Sequence, residues 1–205
     1  MLKHVRPAVA MIAGLTLIVG LIYPFAMTGI ALALFPHQAK GSLIQKDGKV
    51  IGSELIGQQF SGRGYFHGRP SATTDTDPND PTKTVQAPYN AANSAGSNAG
   101  PTSKALVERV TLDAEKLHEE NSAALVPVDL VTTSASGLDP DITPAAALFQ
   151  IPRVAKARGI SRERLRQLVE QNTRGRILGI LGEPRVNVLK LNLSLDSEHP
   201  ASAAR

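Results

Sequence analysis

The chain has 205 residues, a formal net charge of +4 and no cysteine or tryptophan. Lys3 and Arg6 stand ahead of the first apolar run, so the remainder carries only +2. Disulfides, thiolate metal sites and thiol redox chemistry are excluded. The near-neutral remainder lacks the basic footprint of a nucleic-acid binder, so no nucleic-acid partner is expected.

Residues Ala8 to Phe35 form 28 positions without a charged side chain. A helix of that length is about 42 Å long, against a hydrocarbon core of about 30 Å. Lys3, His4, Arg6 and the Ala31-Leu32-Ala33 triplet resemble a cleavable leader, but the apolar run is about twice the usual leader length. The expectation is a single transmembrane anchor over 8–35, kinked at Pro24, with Gly14, Gly20 and Gly29 allowing close helix approach. The cationic flank places residues 1–7 in the cytoplasm and the long C-terminal part outside it. The implied location is a bacterial inner membrane, single-pass.

Beyond the anchor, 36–196 is expected to be one extracytoplasmic α+β domain. Ser42-Leu43-Ile44 and Val50-Ile51 flank Asp47-Gly48, a hairpin signal. Residues 71–103 are poor in large apolar side chains and predict a long, partly disordered loop. Asp75, Asp77 and Asp80 in it resemble the start of a calcium loop, but Gln86 stands where the bidentate Glu belongs; a solvated acidic loop is the better reading.

Thr102 or Ser103 is placed to cap a helix running to about Glu120, with Leu106, Val110, Ala114 and Leu117 on one face. Val126 to Thr133 suggests a buried strand. Thr143-Pro144 starts a helix that Gly159 closes and that Pro152 should break or kink. Ser161 starts another, to about Asn172, with Leu165, Leu168 and Val169 inward. Leu189, Leu191, Leu193 and Leu195 alternate with polar residues, as in a strand. The stretch 197–205 is expected to be a disordered tail.

No catalytic motif is present: no nucleophile elbow, no Ser-x-x-Lys, no zinc-protease pair, and five histidines without ligand spacing. No catalytic or metal residue is assigned. The near helix-turn-helix at Ile160 to Glu163 does not fit a near-neutral domain. The stretch from Asn93 to Thr102, just before a helix start, could cap that helix or contact a phosphate or partner. For an anchored enzyme, His67, Arg69, Asp139 and Asp141 are the only candidate residues; a free-standing envelope binding protein is the third possibility.

Several blocks, in order, carry a resemblance. They are Gly57-Gln58 with Phe60, Tyr65 to Ala72, Tyr89-Asn90, Asn93 to Thr102, Val126 to Thr132 and Ser136 to Pro140. Gln150 with Arg153-Val154-Ala155, and Gly182 to Val188 running into Leu191-Asn192-Leu193, complete them. The chain resembles the C subunit of the Kdp-type potassium-transporting P-type ATPase, the KdpC family, departing from its pattern at Ala95, Ala99 and Ala135.

The resemblance implies a non-catalytic subunit of a potassium pump. Its partners would be a potassium-channel-like subunit, a P-type ATP-hydrolysing subunit and a small membrane subunit. The family is described as a catalytic chaperone that raises ATP affinity of the hydrolysing subunit. Its proposed nucleotide contact maps onto Ser94, Gly96, Ser97, Asn98 and Gln150. No cofactor of its own is implied; ATP belongs to the hydrolysing subunit and potassium is the transported ion. Because the charge pattern places the domain outside, any effect on ATP affinity is expected to be indirect. The Arg69–Ser71 and Glu183–Asn187 blocks are expected to serve fold and interface.

Overall fold

The N-terminal apolar run folds as one helix, α1, over Val5–Leu34, with none of its apolar window buried. The computed structural model describes residues 2–199 and divides at Ser53/Glu54 into two units. The chain is thus an α+β domain anchored by one apolar helix, as expected. Pro24 does not break α1. Instead, Thr16–Ile22 widens to π-type turns just ahead of it, and Tyr23 N–H reaches back to the Ile18 carbonyl. Wider turns ahead of a proline absorb the missing donor and ring bulk without ending the helix.

After a short turn of helix α2 (Pro36–Ala39), β1 (Leu43–Lys46) and β2 (Lys49–Ser53) pair antiparallel. Asp47 and Gly48 both take positive φ, the twist a two-residue hairpin needs.

The unit from Glu54 onward is built around three helices. α4 (Pro144–Arg158) has Pro144 in its first turn, the Thr143 hydroxyl accepting from Ala146 N–H, and Gly159 closing it in left-handed conformation. α5 (Arg162–Gln171) is capped by Ser161, and α6 (Val188–Glu198) by Asn187. A small antiparallel sheet lies beside them, β5 (Asp141–Ile142) and β6 (Thr173–Arg174) flanking a central β7 (Arg185–Asn187). Ile142 and Thr173 both face Val186 in register. Phe66, Ile142, Val154, Leu165, Val169, Val186, Leu191 and Leu195 fill the core. α3 (Lys104–Glu120), capped by Ser103, lies on the surface with a half-buried stripe.

Five expectations are corrected. Residues 189–195 are helix, not strand. Val188, Leu191, Asn192 and Leu195 fall at helical spacing and are all buried, and the cap at Asn187 starts the turn; the leucine alternation was incidental. The 126–133 stretch is not a strand: Pro127 leads into a 3₁₀ turn at Val128–Leu130 that sends Asp129 inward. Its carboxylate accepts from the Thr143 N–H at 2.7 Å.

The 71–103 segment is not one long loop. Thr74–Asp77 and Asp80–Gln86 pair as a hairpin, β3–β4, anchored where buried Thr73 Oγ1 donates to the Ala87 carbonyl at 2.6 Å. β-Branched threonines suit strands without an apolar core. The three aspartates lie along it, Asp77 and Asp80 accepting from nearby backbone N–H groups. α4 also continues past Pro152 without a break, leaving the Leu148 carbonyl without its helical donor on the exposed side. The expected tail from 197 overlaps α6, which continues to Glu198; residues 200–205 lie outside the described part.

Leu191→Ala empties a fully buried position and should cost about 2–5 kcal/mol. Leu112→Ala, on the exposed face of α3, should change stability by less than about 0.5 kcal/mol. Denaturant unfolding of the detergent-solubilised chain, followed by circular dichroism, distinguishes the two.

Candidate functional site

After a turn at Gly62–Tyr65, where Tyr65 N–H donates to the Gly62 carbonyl at 3.0 Å, the run to Arg69 threads between the helices without strand pairing. Its backbone polar groups are met by side chains instead. Asn192 of α6 accepts from Phe66 N–H and donates to the Phe66 carbonyl, both at 2.9 Å. Gln150 of α4 does the same one residue on, at 2.8 Å from His67 N–H and 3.1 Å to the His67 carbonyl. Arg153 donates to the carbonyls of Arg63 and Tyr65 at 2.8 and 2.9 Å, and Arg158 to that of Gly64 at 2.7 Å. The Tyr89 hydroxyl donates to the Arg69 carbonyl at 2.7 Å.

A cleft of about 440 Å³ opens along this run, lined by His67, Arg69, Tyr89, Lys116, Gln150 and Arg153 among others. Gln150 is buried in its wall and fully used. Besides His67, its Nε2 donates to the Ala146 carbonyl at 3.2 Å, and its Oε1 accepts from Arg153 at 2.6 Å. Burial first, and then the Arg153 charge, holds the His67 imidazole below its ordinary pKa. Burial, with Asp139 nearby, pushes the Tyr89 phenol up to about 12. Tyr89 fits so closely that a Cβ at Gly68 would stand 2.4 Å from its hydroxyl, and one at Gly57 2.5 Å from its ring.

The 94–98 loop lies elsewhere, and none of its residues lines this cleft. Ser94 Oγ and Ala95 N–H both donate to the Ser136 carbonyl at 3.0 Å. A Cβ at Gly96 would come within 2.8 Å of the Ala135 carbonyl, and one at Gly137 within 2.6 Å of the Ala95 carbonyl. Two backbones therefore touch here, and glycine at both positions permits it. Gly137 also has φ +68°. Ala95 carries no positive φ, so its departure from the family glycine brings no strain. Asn98 adopts φ +49°, a conformation asparagine tolerates, and Ser97 Oγ accepts weakly from Ala99 N–H at 3.5 Å. The structure joins Gln150 with His67 and Arg153, and Ser94 with Gly96; it does not bring the two groups to one pocket.

His67, Arg69, Asp139 and Asp141 do not converge on a substrate position either. Arg69 donates to Asp139 at 3.2 Å and to the Thr132 hydroxyl and Thr133 carbonyl at 3.3 and 3.2 Å. Asp139 accepts from Asp141 N–H at 3.0 Å, and Asp141 pairs with Arg185 at 2.9 Å. The two aspartates line a separate hollow of about 250 Å³ without His67. Burial raises the Asp141 carboxyl, opposed by Arg185. Among the described residues no group of three or more His, Cys, Asp or Glu could hold a metal.

Thr73 and Arg158, the inward role of Asn192, and the backbone contact at Gly96 and Gly137 escaped the sequence reading. Asn192 was legible on a helical reading, since it sits on the same face as Leu191 and Leu195. Nothing local in the sequence signals that Asn192 and Gln150 bind adjacent peptide groups.

Comparison with known proteins places the chain. It matches the KdpC family, described as "K+-transporting ATPase, c chain", over residues 5–197. It is similar to the Potassium-transporting ATPase KdpC subunit of Rhodopseudomonas palustris (strain BisB18), 68% identical over 96% of this chain and 99% of the relative. The subunit of that name from Bradyrhizobium diazoefficiens is 68% identical over 96% of this chain and 98% of its own length. That from Methylobacterium nodulans is 64% identical over the same shares. The match runs through the apolar helix and the domain alike. The chain belongs to the KdpC family.

Gln150→Leu keeps the volume but strips His67 and Arg153 of their partners, and should cost about 2–4 kcal/mol in denaturant unfolding. His67 supplies a pH dependence. Its folded pKa lies below the ordinary 6.5, so the unfolded chain binds the proton more readily. The contribution is complete above that range and is lost as pH falls through it toward the folded value. Unfolding midpoints should drop on acidification below about pH 6.5, and His67→Gln should flatten the drop.

Proposed function

We propose that the chain is a non-catalytic accessory subunit of the ATP-driven potassium uptake complex. The observation that carries this is the end-to-end likeness, anchor and domain together, to relatives named as the KdpC subunit of a potassium-transporting ATPase. In this reading the chain crosses the bacterial inner membrane once. Its N-terminus, with Lys3 and Arg6, is cytoplasmic and its domain extracytoplasmic. The domain docks over the outer face of the channel-like subunit and stabilises the assembly with the ATP-hydrolysing and small membrane subunits.

ATP is bound by the hydrolysing subunit, and the chain influences its affinity through the assembly. Two features support the indirect route. Gln150 spends all its hydrogen-bonding capacity inside the domain. The 94–98 loop lies outside the cleft that Gln150 lines. For direct nucleotide contact these groups would have to rearrange and the domain would have to be cytoplasmic.

A C-terminal alkaline phosphatase fusion should be active and a C-terminal green fluorescent protein fusion dark; the reverse overturns the topology. Loss of the chain should reduce recovery of the other pump subunits as one complex. Ser97→Ala with Asn98→Ala should leave the pump's KM for ATP within about twofold; a shift of tenfold with assembly intact would establish direct contact.

A further inference from the structure

The wider turns ahead of Pro24 make room for its ring, but they shift the missing hydrogen bond rather than remove it. Tyr23 N–H is spent on the Ile18 carbonyl, five residues back. The next bond in that pattern would run from residue 24 to Val19, and proline has no N–H to give. In the tighter α pattern the donor for Val19 would be Tyr23, which is already engaged. The Val19 carbonyl therefore has no main-chain partner in either register. A serine or threonine three or four positions further on could close it from the same helix, but those positions hold Ile22 and Tyr23. Thr16, one turn earlier, bonds back only to carbonyls nearer the N-terminus.

Val19 stands near the middle of the 30-residue helix, about 21 Å from its nearer end. At that depth of a bilayer neither water nor a headgroup supplies a donor, and an unpaired backbone acceptor is costly. Tyr23 adds the complementary group. It is 60% exposed, and its hydroxyl meets no group of this chain among the described residues. It lies one turn on from Val19, on the same face. Helical side chains lean towards the N-terminus, so the phenol comes down to the level of the freed carbonyl. Beside them Gly20 keeps the surface low: a Cβ there would meet only Thr16 Cγ2, at 3.8 Å. One face of α1 thus offers an acceptor and a donor together inside hydrocarbon, where acyl chains answer neither.

We propose that the Val19 carbonyl and the Tyr23 hydroxyl together dock a transmembrane helix of another pump subunit, one that carries an amide or hydroxyl side chain at this depth. That side chain donates to the Val19 carbonyl and accepts from Tyr23, and Gly20 lets the two backbones approach. A second copy of α1 fits less well. The helix contains no amide side chain, and pairing through its own Tyr23 would hold two phenols between the copies, against the close approach that Gly20 allows. The proposal rests on the reading of the chain as a pump subunit and on α1 spanning the membrane.

The full chain is co-expressed with the other pump subunits, with the photoreactive residue p-benzoylphenylalanine replacing Tyr23 or, as control, Phe25 on the opposite face. On irradiation of native membranes, position 23 should cross-link to another pump subunit and position 25 should not. Ile22→Thr supplies a hydroxyl that closes the Val19 carbonyl from within the helix, and Tyr23→Phe removes the donor. Each should lower the share of the chain that co-purifies with the pump in mild detergent by roughly threefold. Leu21→Thr, whose hydroxyl turns to the Ile18 carbonyl already bonded to Tyr23, should leave that share within about 1.5-fold. Undiminished co-purification of the Ile22→Thr/Tyr23→Phe double variant, or equal cross-linking at 23 and 25, overturns the proposal alone. Cross-linking of position 23 only to a second copy overturns it in favour of self-association. Release of the unsubstituted chain by an alkaline carbonate wash overturns the spanning reading, and its failure to co-purify with the other subunits overturns the subunit reading; the proposal falls with either.

Discussion

An extended peptide buried without a neighbouring strand must find partners for every N–H and C=O group, or lose the free energy of each. From Arg63 to Arg69 that demand is met largely by side chains, with Tyr65 N–H turning back to the Gly62 carbonyl. Asn192 and Gln150 each present an amide whose donor and acceptor match one peptide unit, so they act as detached pieces of β-ladder. Guanidinium and hydroxyl donors from Arg153, Arg158 and Tyr89 take the carbonyls of Arg63, Gly64, Tyr65 and Arg69. Phe66, at the centre, is fully buried. The spacing of α4 and α6, and the line of the cleft between Tyr89 and α4, follow from holding this one strand-like segment in place.

The arrangement explains why so many charged side chains lie inside a small domain. Arg153 and Arg158 are almost wholly buried, paired with Glu120 at 3.1 Å and Asp196 at 2.7 Å. Arg158 also stacks over the Tyr65 ring at 4.5 Å. Desolvating a guanidinium is costly, and such pairs contribute little net stability by themselves. Their other donors go to backbone carbonyls that have no alternative, so removing one arginine would strand both the carbonyls and the opposing carboxylate.

Much of the helical architecture was legible because caps are local. Ser103, Thr143-Pro144, Gly159 and Ser161 each announce an end of a helix within a few residues, and each stands where it was read. The errors came where tertiary partners decide. Leucine alternation at 189–195 mimicked a strand because four leucines happened to fall at period two. Asn192, polar on a buried face, was the signal against it. The Thr- and Asp-rich stretch lacked a core signature, so only its pairing shows the β3–β4 hairpin. For the site, Gln150 and Arg153 were singled out, but their targets were not. A side chain that completes a peptide's hydrogen bonds leaves no periodic trace in sequence.

The amide clamp on Phe66 also dictates a timetable. Its two halves stand 126 residues apart. During synthesis Phe66 emerges 126 residues ahead of Asn192 and must wait, its peptide groups hydrated and its ring uncovered, until α6 follows. No smaller N-terminal piece can close the core, and long loop closure of this kind slows folding. Completion of the C-terminal helix thus becomes the checkpoint for the whole domain. A chain cut short before Asn192 would leave the Phe66 peptide groups without their amide partner and the core open.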